Sequence, residues 1–313
     1  MKRIILKKRG QIFSLIAVAI VALLFLTFQA NNLVQERYTV KTRISTMEGY
    51  LHSLENNLER QIFISGFRVI FLAEDEIAST GEFIGSFDDF FEEAFNNGTV
   101  NGIEKEIMAG ATKDDLINSI NEKANKINIH VTFSNVSTVA FQEDPWFTTF
   151  VFSFNLTVED LSGLAKWDRF QVIEARVPIE GFEDPLFLVN TNAMISRRFN
   201  QSIYSFGNET AFDVGDFESH VAGGYYFNNP SAPSFLNRLE GNLSSNDQGI
   251  ESFVIISDLI GQGIPSSTKS MTDHIYFSSN NPSHFGVVGM SSWFRIDDES
   301  NRLNYYGIND TFI

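Results

Sequence analysis

MKRIILKKRGQIFSLIAVAIVALLFLTF, residues 1–28, is the stretch from which the rest of the chain is read. Five cations (Lys2, Arg3, Lys7, Lys8 and Arg9) and no acid precede Gln11, and the 17 residues from Ile12 to Phe28 carry no charge. A helix over that run covers about 25 Å, and with Gln11, Gln29 and Ala30 about 30 Å, the depth of a hydrocarbon core. It must be helical, because lipid offers no partner to exposed backbone N–H and C=O groups. Residues 1–10 are therefore expected to be a basic cytoplasmic leader and 11–30 a transmembrane helix. Beyond Phe28 the chain reads QANNLVQERY, with none of the small-residue spacing that marks a cleaved secretory signal. The cations before the run are denser than Arg37, Lys41 and Arg43 after it. That bias predicts a single-pass protein of the cell membrane, with a cytoplasmic N-terminus and an extracellular C-terminal head.

Past the apolar run, Val40, Ile44, Met47, Leu51, Leu54 and Leu58 recur at spacings of four and three, with polar residues between them. This is a heptad seam. No proline and a single glycine, Gly49, interrupt residues 29–65. One continuous helix is expected, its extracellular half forming a stalk over 31–73. From Ile62 to Leu72 (IFISGFRVIFL) the chain is apolar nearly all round, which predicts that the helix enters a protein core. A short membrane-proximal coiled-coil dimer is the alternative for this seam.

The remainder reads as an α+β head in two parts, 74–183 and 184–313, with no Pro/Ser-rich linker between them. A helix start at Thr112 precedes DLINSINEKANKI. Three segments then alternate with period two: Ile127 to Ser134, Phe150 to Val158, and Ile173 to Ile179. They predict an antiparallel sheet with one wet face. A second α+β stretch after residue 187 is expected to hold a short helix at SFLNRLEG, strands near ESFVIISDLI and DHIYFSS, and a hairpin WFRI-DDESN-RLNYYGI. The fold class is thus α+β, a long N-terminal helix followed by a head rich in antiparallel sheet.

Net charge is −16; without the leader the chain carries 18 Lys+Arg against 39 Asp+Glu, or −21. Such a surface does not bind nucleic acid through a general basic field. There is no cysteine, so disulfides, thiolate catalysis, Cys-ligated zinc and lipoprotein-type lipidation are all excluded. Seven Asn-x-Ser/Thr sequons, at Asn97, Asn135, Asn155, Asn200, Asn208, Asn242 and Asn309, are candidate glycosylation sites. The five histidines, His52, His130, His220, His274 and His284, form no HExxH or closely spaced ligand pair. No Gly-x-Ser-x-Gly elbow or phosphate-binding Gly-x-x-x-x-Gly-Lys loop is present. Asp88, Asp89, Glu92 and Glu93 crowd about one helical turn, a pattern that solvated helix faces commonly show. No catalytic residue, metal or cofactor is expected, and the chain is not read as an enzyme.

The Lys7-Lys-Arg-Gly10-Gln11 junction, leading straight into an apolar helix, resembles the class III signal peptide of archaeal type IV pilin-like surface proteins. The resemblance covers about the first 60 residues. It implies processing between Gly10 and Gln11 by a prepilin peptidase, and a retained helix that anchors the protein or packs against other pilin-like subunits. Many pilins place a Glu at the fifth mature position; here that position is Leu15, and the chain is longer than a typical major pilin. The stretches GFEDPLFLVNT (181–191) and PSFLNRLEGN (233–242) are also similar to uncharacterised archaeal surface proteins. A minor, tip-located or non-assembled pilin-like protein with a structural or adhesive role is the expectation. The alternative is an anchored extracellular ligand-binding or sensing domain that does not assemble. The lipid bilayer is the partner common to both.

Overall fold

The computed structural model describes residues 2–206 and 212–308. The fold is mixed α+β, a long N-terminal helix followed by a head of helices and antiparallel sheets. Helix α1 runs unbroken from Lys2 to Thr80. Nothing in its sequence breaks it, since the first proline of the chain is Pro145. It passes the end of the apolar run 62–72 because Ala73 and Ile77 keep the buried face going. Gly81 stops it: with φ +72° its N–H returns to the Ile77 carbonyl at 2.9 Å, a left-handed glycine terminus.

Then follow α2 (Phe87–Asn97), the ladder β1 (Thr99–Val100) with β2 (Ile103–Glu104), and α3 (Lys113–Asn125). Ser86 caps α2 through its side chain, and Gly98 ends it in the left-handed region. Strands β3 (Ile129–Asp144), β4 (Phe147–Asp160) and β5 (Lys166–Pro178) form one sheet in that order, joined by short turns. Phe150, Phe152, Phe154, Leu156 and Val158 of β4 are buried while Val151, Ser153, Asn155 and Thr157 are half-buried, so the period-two pattern sorts the faces as expected.

The C-terminal stretch is built of short pieces: α4 (Pro185–Asn190), α5 (Val214–Gly223), β6 (Phe227–Asn228), α6 (Phe235–Leu239), β7 (Ile250–Glu251), α7 (Ile256–Gly261), α8 (Asp273–Tyr276), β8 (His284–Phe285), β9 (Ile296–Asp297) and α9 (Arg302–Tyr305). Strand β6 pairs with β7, and β8 with β9. The helix expected at SFLNRLEG is α6. Three other expectations are corrected. DHIYFSS holds the helical turn α8, ESFVIISDLI keeps one strand residue, Glu251, and an isolated bridge at Phe253 before α7, and the C-terminal hairpin is absent. Ile296–Asp297 pairs instead with His284–Phe285, and RLNY coils into α9. Alternation over four residues does not separate a strand from a buried helical turn, because both place apolar side chains at adjacent spacings.

The chain divides into two compact units. The first takes residues up to Asn56 with Ile120–Phe133 and Leu156–Arg169. In it, Met47, Leu51 and Leu54 of the seam are buried, Val40 is half-buried and Ile44 exposed. Arg43 secures the helix: its Nη2 donates to the carbonyls of Ile127 (2.6 Å) and Asn128 (2.7 Å), and its Nε to Asp160 (2.5 Å). Tyr50 donates to the Ile120 carbonyl at 3.2 Å, and Arg169 pairs with Glu55. The C-terminal half of the seam is therefore already covered by the chain itself, which limits a coiled-coil dimer to the part before Met47.

The second unit takes Asn57–Ser119, Ser134–Asn155 and Phe170–Ile313. Here α1 buries Leu58, Ile62, Val69, Ile70, Leu72, Ala73 and Ile77. Gly66 lets the helix meet the Phe150 ring; a Cβ there would sit 2.5 Å from a ring carbon. Phe91 and Phe95 of α2 stack with centroids 5.5 Å apart and reach Phe150 and Phe152 at 5.0 and 5.9 Å. The C-terminal part has its own aromatic core around Phe217, Phe253, Phe294 and Tyr306.

Candidate functional site

The first functional element is the apolar run. Every side chain from Ile12 to Phe28 is exposed, and α1 is, among the described residues, the one helix long and apolar enough to cross a membrane. Soluble surfaces rarely expose apolar patches of that length, so this one is compatible with a transmembrane span. Gly10 and Gln11 both lie within α1.

The second element is a cleft of about 510 Å³ in the second unit. One wall is α1, through Phe67, Phe71, Glu74, Asp75 and Ala78; the other is Glu180–Glu183 with Leu188 and Arg198. Positions 67, 71, 74, 75 and 78 recur at helical spacing, so one face of α1 presents them together. Phe67 and Phe71 are 44% and 47% exposed, whereas Phe182, which meets the Phe67 ring at 5.0 Å between centroids, is buried.

Glu74 is the unusual residue of this wall. It is 7% exposed, and its Oε1 has no hydrogen-bond partner. Burial pushes its carboxyl up to about 9, a rise that the backbone N–H of Glu183 and the charge of Arg198 offset in part and the charges of Glu183 and Asp184 reinforce. The acid is therefore mostly protonated at neutral pH. Arg198 faces outward, its Nε 3.9 Å from a Glu183 oxygen.

The third element is a buried ionic network. Arg238 Nη1 donates to Asp184 at 2.6 Å and to Asp273 at 2.9 Å, and Nη2 to the Ile250 carbonyl. Arg302 reaches Glu251 at 3.1 Å, contacts Asp297, and lies 3.3 Å from His274 Nε2. Tyr226 donates to Asp184 at 2.7 Å and Tyr306 to Glu251 at 2.8 Å. Burial raises the Asp184 carboxyl above its ordinary value, and Arg238 offsets this in part. Burial also opposes the charge of Asp273, but Arg238 and His274 outweigh it and hold that carboxyl below the usual range. The GFEDPLFLVNT and PSFLNRLEGN stretches meet here, since Asp184 also caps α4 and Arg238 belongs to α6. These groups hold one another and tie short helices into one body.

The histidines do not assemble. His52 and His130 are exposed, His284 is half-buried, and His220 and His274 are buried. His220 packs against the rings of Phe206 and Phe217 and lies 2.9 Å from the Ser202 hydroxyl; burial lowers it to about 4, which keeps it neutral. Asp88, Asp89 and Glu92 are exposed on α2, while Glu93 accepts from Thr99 Oγ1 at 2.9 Å and from the Gly102 N–H at 2.8 Å. Among the described residues no three His, Asp or Glu side chains could hold a metal ion together. Of the sequons, Asn97, Asn135, Asn200 and Asn242 are exposed and Asn155 is half-buried; Asn208 and Asn309 lie outside the described residues.

The sequence reading missed Glu74 as a site residue because it opens an acidic stretch, AEDE, that resembles any solvated helix end. The signal was present in the spacing Phe67-Phe71-Glu74, which puts an acid on the same stripe as two large rings. Nothing in sequence marked Arg302 and Asp297 as partners.

No family model, curated protein or solved structure matches this chain.

Proposed function

We propose that the protein is a membrane-anchored surface protein of the type IV pilin-like kind, minor, tip-located or non-assembled, with a structural or adhesive role. One observation carries this reading: a basic leader and an uncharged, wholly exposed apolar run continue as a single helix into a folded acidic head. In this reading the leader 1–10 is cytoplasmic and is removed before Gln11, residues 11–30 span the bilayer, and the head lies outside. The polarity of charge supports it, since the acidic head follows the run and the cations precede it. Leu15 supports a role other than main filament subunit.

Mass spectrometry of the mature chain is expected to show a start at Gln11, and a Gly10→Leu variant is expected to keep its leader. A mature chain that begins at Met1 or Lys2 refutes the pilin-like reading and leaves a plain single-pass anchor. The cleft at Glu74 favours the second reading, an anchored ligand-binding domain. Shearing the cells distinguishes the two: an assembled protein leaves with filaments, and a non-assembled one stays in the membrane fraction.

A further inference from the structure

We propose that the cleft walled by Phe67, Phe71 and Phe182 binds an organic ammonium ion, with the cationic nitrogen facing the Glu74 carboxyl and its carbon substituents against the phenyl rings. The proposal goes beyond the surface-protein reading and does not depend on how the leader is processed.

Three features of the cleft select that chemistry. Its charge is one-sided: Glu74, Asp75, Glu180 and Glu183 line it against Arg198 alone, whose guanidinium faces solvent and is engaged by Glu183. An anion has no anchor there. Its walls carry phenyl rings, whose negative faces attract a cation that keeps an apolar skin. A hard metal ion needs several converging oxygen ligands, and no such set forms among the described residues. A volume of about 510 Å³ suits a small organic ligand.

Glu74 supplies the independent observation. A carboxyl that is 7% exposed lines this cleft and leaves Oε1 without a partner. The charged groups around it are Asp75 on its own helix, Glu183 and Asp184 on the facing segment, and Arg198. Burial above all, with the charges of Glu183 and Asp184, disfavours its ionisation, so the empty cleft keeps the proton on Glu74. A permanent cation against the carboxyl reverses that preference. Binding then releases the carboxyl proton to solvent and leaves an ammonium–carboxylate pair, so affinity rises with pH until Glu74 is ionised without the ligand.

The test is calorimetric titration of the full chain in dodecylmaltoside micelles with benzyltrimethylammonium, whose charge does not change with pH, against uncharged benzyl alcohol. Saturable binding of the ammonium is expected to tighten by up to about tenfold per pH unit between pH 6 and about 9, then level off. Benzyl alcohol is expected to bind at least about tenfold more weakly at pH 9 and with no pH trend. Glu74→Gln, checked as folded by its thermal transition, is expected to abolish the pH trend. Phe71→Leu is expected to weaken binding about threefold and to keep the trend. Equal affinity for the two probes, a pH trend that persists in E74Q, or no saturable ammonium binding at millimolar concentration each overturns the proposal.

Discussion

Glu74 is held in a place that disfavours its charge, and linkage turns that into a stability profile. Its carboxyl titrates near 4.5 in an unfolded chain and at about 9 in the folded one. The folded state therefore binds the proton more tightly, so this group's stabilisation is complete below pH 4.5 and is lost as pH rises toward 9. Between pH 4.5 and 7 the loss is about 3 kcal/mol. Glu74→Gln removes the titration: in urea unfolding of parent and variant, the stability difference is expected to shift by that amount in favour of the variant over this interval. A difference independent of pH would show that Glu74 is not buried as described. Residues kept at a stability cost tend to serve function, which is why Glu74 belongs to the candidate site. Arg238 behaves in the opposite way. Replacing it by Met strands the carboxylates of Asp184 and Asp273 and the Ile250 carbonyl in the interior. A loss of about 3–5 kcal/mol is expected in the same unfolding assay, because removing one partner leaves buried charge without compensation.

At the scale of elements, α1 was the most legible part of the chain and the C-terminal third the least. A long helix announces itself through absent prolines, a sustained seam and an uncharged apolar run, each repeated over many residues. Strands β3, β4 and β5 were legible for the same reason, since alternation over seven or more residues has few other readings. The short pieces α7, α8 and α9 have four to six residues each, too few to express a period. Their conformation follows from side chains far away in sequence, such as the Arg302 contact with Glu251, 51 residues before it. The packing of α1 depends on Gly66, where the helix backbone and the Phe150 ring come together. Gly66→Ala raises helix propensity by about 1 kcal/mol but drives its new methyl into a buried ring. The clash is expected to win, with a net loss of about 1 kcal/mol in thermal or urea unfolding. A stabilised G66A would mean that Phe150 has room to move.

For the whole molecule, the decisive quantity is apolar surface without protein cover. The 17 residues from Ile12 to Phe28 are exposed along their full length, and water does not tolerate such a stripe. The full-length chain is expected to sediment with membranes and to need detergent for release. A chain that begins at residue 31 is expected to stay in the aqueous phase, because the acidic head carries the charge that keeps it dispersed. A full-length chain found soluble without detergent would require another cover for the apolar run. Local pattern and residue types are enough to specify the apolar run, the absence of disulfides, the long helix and the period-two sheet. The fold alone sets Phe182, Glu183 and Arg198 across a cleft from Glu74, and seats Arg238 beside Asp184 and Asp273 and Arg302 beside Glu251. Those are properties of neighbours distant in the chain, and a buried acid differs from a solvated one only through what the fold places around it.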